Sequence, residues 1–593
     1  MKWFFPKYKK FFIQFIFSVF LLSMWSCARP TAPTGGPKDL SPPKVIKCVP
    51  PNHSANFKAH KFTIFFNEYV QLDKIYQQLM ISPPLKHIPD FKLKGKSLIV
   101  KLKDTLKKNT TYSVFFGNAI QDLTEGNALK NYTYVFSTGK YVDSLSLRGL
   151  VVNAEDLTPE KEVMVMLYPA PNINKAVDTM PIHGKPYYLS RTNDKGYFYF
   201  SGLADTTFLL FALQDKNNSL TFDQPNEKIA FIDSVVHPQF RPKPVLDSAL
   251  LDSAQSLPKY KYQRIEDSLK NLADSIANSH LKLYELYMFQ QPASSFRLTD
   301  AKLVRRNTVE FVFNKKAENI KIISPQLNDS AINFIEKWNV DRDSLLWFLH
   351  EPHPDSLTFF IYKGDKIIDT VRLRAIPKEK ILKRKKKNKK EKNLYLSWSS
   401  NIMGIIKPGE KLIINFKQPV SIINFDSVLF VSGKDTVLNP PKYFKDSFKM
   451  QLVIPFKVIP GTNYHLIIPD SSIVNWNGLF NQRISLTFRA KPEKDYGIVV
   501  FKVFPYVTGH YIIQMIKNKD KVIEEKYFSG SGEVVFRDIN PGKYNFRLIF
   551  DTNNNGKWDP GNYFLGVEPE KVLEYPKTVT IRANWNIYEK WKF

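Results

Sequence analysis

Two loops in this chain carry the residues best suited to chemistry. The first to be considered lies near the C-terminus: Asp551-Thr552-Asn553-Asn554-Asn555-Gly556-Lys557-Trp558-Asp559. Counting from Asp551, oxygen-bearing side chains fall at positions 1, 3, 5 and 9 (Asp551, Asn553, Asn555, Asp559), with glycine at 6 for a sharp turn. Hard cations such as Ca²⁺ take about six to eight oxygens, and a loop of this spacing can supply them. Asn562 stands where a position-12 glutamate would complete such a loop. The other loop, Asp215 to Asp223, offers Asp215, Asn217, Ser219 and Asp223; it lacks the glycine, and Glu227 lies just past position 12. The alternative to Ca²⁺ is a hairpin turn in which Asn and Asp cap their own backbone. On either reading the role is structural.

Catalytic constellations are scarce. The pair His350 and His353 flanks Glu351 and Pro352, and proline forbids the helical i, i+4 arrangement of a metalloprotease. Phe528-Ser529-Gly530-Ser531-Gly532 has the wrong spacing for a nucleophile elbow and no helix after it. It reads as a turn between strands. No phosphate-binding glycine pattern appears, and the chain is expected not to be an enzyme.

The elements that position these loops are strands. Short β-branched and aromatic runs separated by Pro, Asn, Asp and Gly recur along all 593 residues, which is too long for one core and suggests roughly four domains. The fold expected is all-β: tandem β-sandwich domains with a short helical insert. That insert starts near Ile265, where Leu269, Leu272 and Ile276 follow at spacings of 4, 3 and 4, the period of an amphipathic helix bracing a neighbour.

Internal duplication organises the chain. Tyr112, Gly126 and Phe136 recur in register as Tyr464, Gly478 and Phe488; the alternating strand Phe62, Ile64, Phe66 recurs as Leu412, Ile414, Phe416. Asp122 aligns with Val474 in this register. A second unit repeats too: Gly196, Phe200, Phe208 and Asp215 match Gly532, Phe536, Tyr544 and Asp551.

The first pair resembles the SbsA-type bacterial Ig-like domain, and the opening Cys27-to-Pro43 stretch, with Thr34-Gly35-Gly36-Pro37-Lys38-Asp39, resembles envelope lipoproteins that carry it. That resemblance implies a non-enzymatic β-sandwich module and no catalytic residues. The second pair resembles transthyretin-like or carboxypeptidase-regulatory-like sandwiches. The expected order is a signal peptide at 1–26, a tether at 27–43, an Ig-like domain at 44–140, a transthyretin-like sandwich at 141–235, a linker and helix at 236–292, a β domain at 293–376, a basic linker at 377–392, a second Ig-like domain at 393–491 and a second transthyretin-like sandwich at 492–593.

Location is suggested by the N-terminus. Basic Lys2, Lys7, Lys9 and Lys10 precede an apolar run from Phe11 to Met24, shorter than the roughly 20 residues of a membrane span, and Ser26 precedes Cys27. Cys27 is the expected lipid-attachment site, holding the protein at the bacterial outer membrane on its periplasmic or outer face. The Pro-, Gly- and Thr-rich stretch that follows suits a solvated tether. Cys48, the other cysteine, is expected as a buried thiol in a strand. Net charge is +29, with ten basic residues between Lys378 and Lys392. Export argues against a nucleic-acid partner and leaves lipid headgroups and glycans as the anions nearby. Membrane contact through the lipid anchor, an outer-membrane protein partner and a glycan are the partners expected; Trp398, Trp476, Trp558, Trp585 and Trp591 in the C-terminal part are candidates for stacking on sugars, against the alternative that tryptophan in β domains is more often core.

Overall fold

The computed structural model describes residues 40–593 apart from 131, 171–179, 255, 294, 306, 328–333, 352, 355, 375–394 and 519–520. Cys27, the signal segment, most of the tether and the basic linker lie outside the described residues. The chain divides into two compact units: one within Met1–Ser146, joined by Tyr187–Leu189 and Ser201–Asp205, and one comprising the rest. The architecture is all-β, as the alternating apolar runs require.

In the first unit, strands Val45–Val49, Lys61–Phe66, Ser97–Lys101 and Asp90–Leu93 form an antiparallel sheet in that order. Met80–Ser82, Thr111–Phe115 and Thr133–Ser137 form another, and Val70–Leu72 pairs with Ile120–Asp122. Alternation decides the faces: Phe62, Ile64 and Phe66 are buried with Val114, Tyr134 and Phe136, so successive side chains of each strand point to core and solvent. Tyr112 accepts a hydrogen bond on its phenol oxygen from the backbone N–H of Lys107 at 2.8 Å. Its repeat in the second unit, Tyr464, accepts from Ile459 N–H at 2.7 Å. This tyrosine-to-upstream-backbone pin recurs because both copies bury the ring and must satisfy the hydroxyl. Cys48 sits in the first strand but is half-buried, its Sγ 3.2 Å from the Tyr132 hydroxyl, so the thiol is less enclosed than expected; burial still pushes its pKa up.

The second unit holds several separate apolar cores among the described residues. One eight-stranded sheet runs Tyr188–Arg191, Met164–Pro169, Phe208–Leu213, Lys228–Phe231, Leu283–Gln290, Leu145–Asn153, Tyr197–Leu203, with Gln239–Phe240 beside Leu145–Asn153. Its counterpart near the C-terminus separates into a three-stranded sheet, Gly532–Ile539, Gly497–Phe504, Asn586–Lys592, and a five-stranded one, Lys521–Ser529, His510–Lys517, Gly542–Asp551, Val572–Glu574, with Val579–Ile581 also on Gly542–Asp551. In both copies the last strand lies parallel to the first: Leu283–Gln290 on Leu145–Asn153, and Asn586–Lys592 on Gly497–Phe504. This moves a boundary. The segment 236–292, expected to be a linker with a helix, contributes the closing strand of the first sandwich, which therefore extends to Gln290 rather than ending at 235.

The helical insert sits inside that sandwich, between Lys228–Phe231 and the closing strand. It comprises Ser248–Ala254 and Lys259–Ser279, the latter 21 residues long. The buried positions are Ala273 and Ala277, while Leu272 and Ile276 are more than half exposed. The apolar periodicity thus marked the helix but not its inner face. Small residues let the helix approach closely, and Arg241 secures it by donating to Asp274 and Asn278, both at 2.7 Å.

Between the two sandwiches lie a β domain and the second Ig-like copy. The former packs Leu298–Arg305, Thr308–Phe313, Ser344–Leu349 and Phe334–Trp338 against Ile320–Ile323, Ser356–Lys363 and Lys366–Arg374. Trp347 is fully buried there, stacked on Phe334 at 4.1 Å. In the latter, Leu412, Ile414 and Phe416 occupy the core as Phe62, Ile64 and Phe66 do in the first copy.

Candidate functional site

The two acidic loops each leave the end of a strand, Phe208–Leu213 in one copy and Gly542–Asp551 in the other. Both begin with an aspartate that caps the turn. Asp551 Oδ1 accepts from Asn555 N–H at 3.0 Å and Oδ2 from Gly556 N–H at 2.9 Å. Asp215 does the same with Ser219 N–H at 3.2 Å and Leu220 N–H at 2.9 Å. The turn demands a left-handed backbone at its sixth residue: Gly556 has φ +74°, and Leu220 is held at +61°. Glycine adopts that conformation freely, whereas leucine is strained there.

The remaining predicted ligands converge on each other except Ser219, whose hydroxyl donates to the Thr221 carbonyl at 3.0 Å. Asn553 and Asn555 both donate through Nδ2 to Asp559 Oδ2, at 2.5 and 2.6 Å. In the first loop Asn217 Nδ2 donates to both oxygens of Asp223, at 3.1 and 3.2 Å. So the structure brings each loop's carboxylates and amides together and closes them with internal hydrogen bonds. Among the described residues no group of three or more His, Cys, Asp or Glu side chains forms a metal-ligand set.

A buried glutamate closes each loop: Glu227, which the sequence places just past position 12, and Glu570, which the sequence pattern missed. Glu227, fully buried, accepts from the N–H groups of Lys216, Asp223 and Gln224 at 3.1, 3.3 and 3.2 Å. In the C-terminal loop the same work is done by Glu570, which accepts from Thr552 N–H at 2.6 Å, Thr552 Oγ1–H at 2.7 Å and Asp559 N–H at 3.1 Å. Asn562 is therefore not a vacant ligand position. The glutamate lies 19 residues after Asp551 rather than 12, as Glu227 lies after Asp215, because extra chain is looped out between. A buried carboxylate that gathers backbone N–H groups leaves no distance signature, so only the shared partners reveal the equivalence.

The looped-out chain makes a latch. Tyr563 is buried among Phe211, Phe222 and Phe231 of the first sandwich, with ring centroids 5.8–6.3 Å apart in edge-to-face contact. Tyr563 N–H donates to Gln291 Oε1 at 2.7 Å, and Gln291 Nε2 donates to Asn562 Oδ1 at 3.0 Å. Gly561 is tight against the same surface: a Cβ there would lie 2.8 Å from the Phe289 ring and 2.7 Å from the Val567 carbonyl. Glu568 Oε1 accepts from Asp233 N–H at 2.9 Å, and Arg547 Nη1 donates to the Glu155 carbonyl at 2.8 Å. Two sandwiches far apart in sequence are thus packed together, which a simple string of domains would not allow.

Other candidates are placed as follows. His350 Nδ1 lies 2.8 Å from the Glu351 carbonyl with its ring against Trp476, and His353 Nε2 lies 3.2 Å from Asn307 Oδ1; the two histidines turn to different partners. Ser529 to Gly532 form the turn between two strands, with Gly530 at φ +67°. Of the tryptophans, Trp591 is in the core, Trp398 packs against one, Trp585 is exposed beneath the Arg582 guanidinium, and Trp558 is half-buried with its indole N–H donating to the Glu570 carbonyl at 3.0 Å.

In the Ig-like pair, Asp122 is buried and accepts from Thr124, Glu125 and Gly126 N–H on Oδ1 and Asn127 N–H on Oδ2, at 2.6–3.1 Å. Burial pushes its pKa up, but the amides of Glu125, Gly126 and Asn127 outweigh this and hold it below the usual value. The structural counterpart is Asn475, not Val474. Val70 pairs with Asp122 and Val420 with Asn475, and Asn475 Oδ1 accepts from Asn477 and Leu479 N–H at 3.0 and 2.7 Å. A turn one residue shorter before the glycine displaces the sequence register.

Comparison with known proteins agrees with the fold. Residues 39–138 match the bacterial Ig-like domain family model. No curated protein matches the chain. Among solved structures, the S-layer protein rSbsC(31-844) is 11% identical over 91% of this chain and 67% of that one, with TM-score 0.13. The N-terminal part of SbsC is 18% identical over 33% of this chain, which spans 43% of that structure, with TM-score 0.12. A Bacteroides ovatus mixed-linkage glucan utilization locus protein, SGBP-B, in complex with a mixed-linkage heptasaccharide, is 10% identical over 74% of this chain and 91% of that one, with TM-score 0.17. Superpositions this loose carry no functional inference. The class established is an all-β, multidomain protein containing a bacterial Ig-like domain.

Proposed function

We propose that this protein is a non-enzymatic scaffold of the bacterial envelope, held at the outer membrane by acyl chains on Cys27 and binding a protein partner there. The latch is the observation that carries this reading. A protein that only spaced its anchor from a ligand would need no docking between distant domains, whereas a platform for a partner gains from a pre-organised surface with little left to order on binding. The acidic loops serve that platform structurally, by fixing the strand ends from which the latch departs.

The test is a crosslinked pull-down of the intact protein from its native membranes, with Cys27→Ala in parallel. Copurification of an outer-membrane protein with the wild type alone supports the scaffold reading. Recovery of the protein by itself in both samples overturns it. A glycan-binding role is the second reading, favoured by the half-buried, hydrogen-bonded Trp558 rather than by the tryptophans as a group.

A further inference from the structure

The outward face of the C-terminal five-stranded sheet holds a row of polar residues where its first copy is apolar. Glu525 pairs across the strands with Gln514, Gln514 with Arg547, and Arg547 with Glu574. Arg547 is only 7% exposed. Its Nε and Nη2 donate to Gln514 Oε1 at 2.9 and 2.7 Å, and Nη1 donates to the Glu155 carbonyl. A guanidinium has five N–H donors, so two remain beyond these three bonds. Gln514 Nε2 in turn donates to Glu525 Oε1 at 2.9 Å, and Tyr527 Oη–H to Glu525 Oε2 at 2.9 Å. Glu525, Gln514 and Arg547 are thus each oriented by a neighbour.

This row opens on a cleft of about 240 Å³ lined also by Ile512, Ile549, Gly556 and Trp558. The indole is fixed by its bond to the Glu570 carbonyl, and Tyr527, largely exposed, packs over Gly556 at the rim. The volume is somewhat below the roughly 300–1,000 Å³ of drug-sized pockets, which suits a single small ring. Fixed donors, carboxylate acceptors and an aromatic wall together match a ligand whose groups both donate and accept while one face is apolar. Glu155 and Glu525 line the cleft with Arg547 and Lys557, so its charge is already balanced and an anion gains little there.

We infer that this cleft binds one ring of a neutral sugar, with Trp558 and Tyr527 against its C–H face and Arg547, Gln514 and Glu525 on its hydroxyls. The site does not depend on the scaffold reading: the ring could belong to a free glycoside or to a polymer.

The experiment is calorimetric titration of the full chain with methyl glucoside, galactoside and mannoside, and with soluble neutral glucan, galactan and mannan. At least one probe is expected to bind saturably and without salt dependence, and Trp558→Ala and Glu525→Ala are expected to weaken it at least tenfold. Because Trp558 also packs against Ile512 and Ile549, the exposed Tyr527→Ala serves as the variant that keeps the fold, with a smaller loss expected. Binding of the methyl glycoside identifies a free sugar as sufficient; binding of the polymer alone identifies a chain that places one ring in the cleft. No saturable binding to any probe, binding that these variants leave unchanged, or binding that fades with salt overturns the inference. Partner recovery in the pull-down is expected to be unaffected by Glu525→Ala, so the two readings fail separately.

Discussion

The two copies of the duplicated sandwich differ most where they should be most alike. In the first, Met166, Phe211 and Phe231 lie side by side across three strands; in the second the same register positions are Gln514, Arg547 and Glu574. The apolar row receives Tyr563, and the polar row faces a cleft and donates to a backbone carbonyl. The duplication therefore preserved the inner cores and the aspartate-capped loops while the outward faces diverged. An inner face has one solution, apolar burial, whereas an outer face is free to become either a dock or a site.

The largest effect expected from breaking this asymmetry is at the latch. Tyr563→Ala should cost about 3–5 kcal/mol at the docked face, as removal of a buried aromatic does. Hydrogen exchange should rise in Phe208–Leu213 while the second Ig-like copy stays protected; unchanged exchange would mean the docking is incidental. Next comes the buried glutamate of each loop. Glu570→Ala and Glu227→Ala should each lose about 2–3 kcal/mol, because backbone N–H groups are left unpaired, and denaturant midpoints would show it. On this hydrogen-bonded closure EDTA should leave the melting temperature unchanged. A rise with millimolar Ca²⁺ that vanishes in Asp559→Ala would instead establish the loop as an ion site.

Making the second copy like the first is a milder change. Gln514→Met with Arg547→Met should stay within about 2 kcal/mol of the wild type, since well-packed apolar residues often replace buried polar ones without loss, yet sugar binding should disappear. Smaller still, Leu220→Gly should stabilise the first loop by about 1 kcal/mol by removing the left-handed strain that Gly556 avoids in the second, read as a higher melting temperature.

The Ig-like pair offers a pH-dependent version of the same comparison. Asp122 has a folded pKa below its ordinary 3.8, so its contribution is complete above that value and is lost as pH falls through the lower folded one. Asn475 does the equivalent capping without titrating. Asp122→Asn should accordingly flatten the acid limb of the stability profile below about pH 4 and lower stability at neutral pH, where the ionised carboxylate's contribution is complete, as followed by denaturant midpoints.

Local signals in the sequence carried the all-β class, the alternation that buries Phe62, Ile64 and Phe66, the glycine turns and the aspartates that open both loops. These are readable because strand period and turn chemistry act between residues close along the chain. Glu570 was hidden because seven further residues separate it from Asp551 than separate Glu227 from Asp215. Asn475 was hidden by a one-residue shift in a turn. The inner face of the helix followed Ala273 and Ala277 rather than the larger Leu272 and Ile276, since close approach favoured small side chains over apolar bulk. Only the tertiary structure assigned Leu283–Gln290 to the first sandwich and sent Tyr563 into the pocket of Phe211, Phe222 and Phe231. Strand partnership and domain docking are settled by surfaces that meet across hundreds of residues, and neither periodicity nor spacing records which surfaces those are.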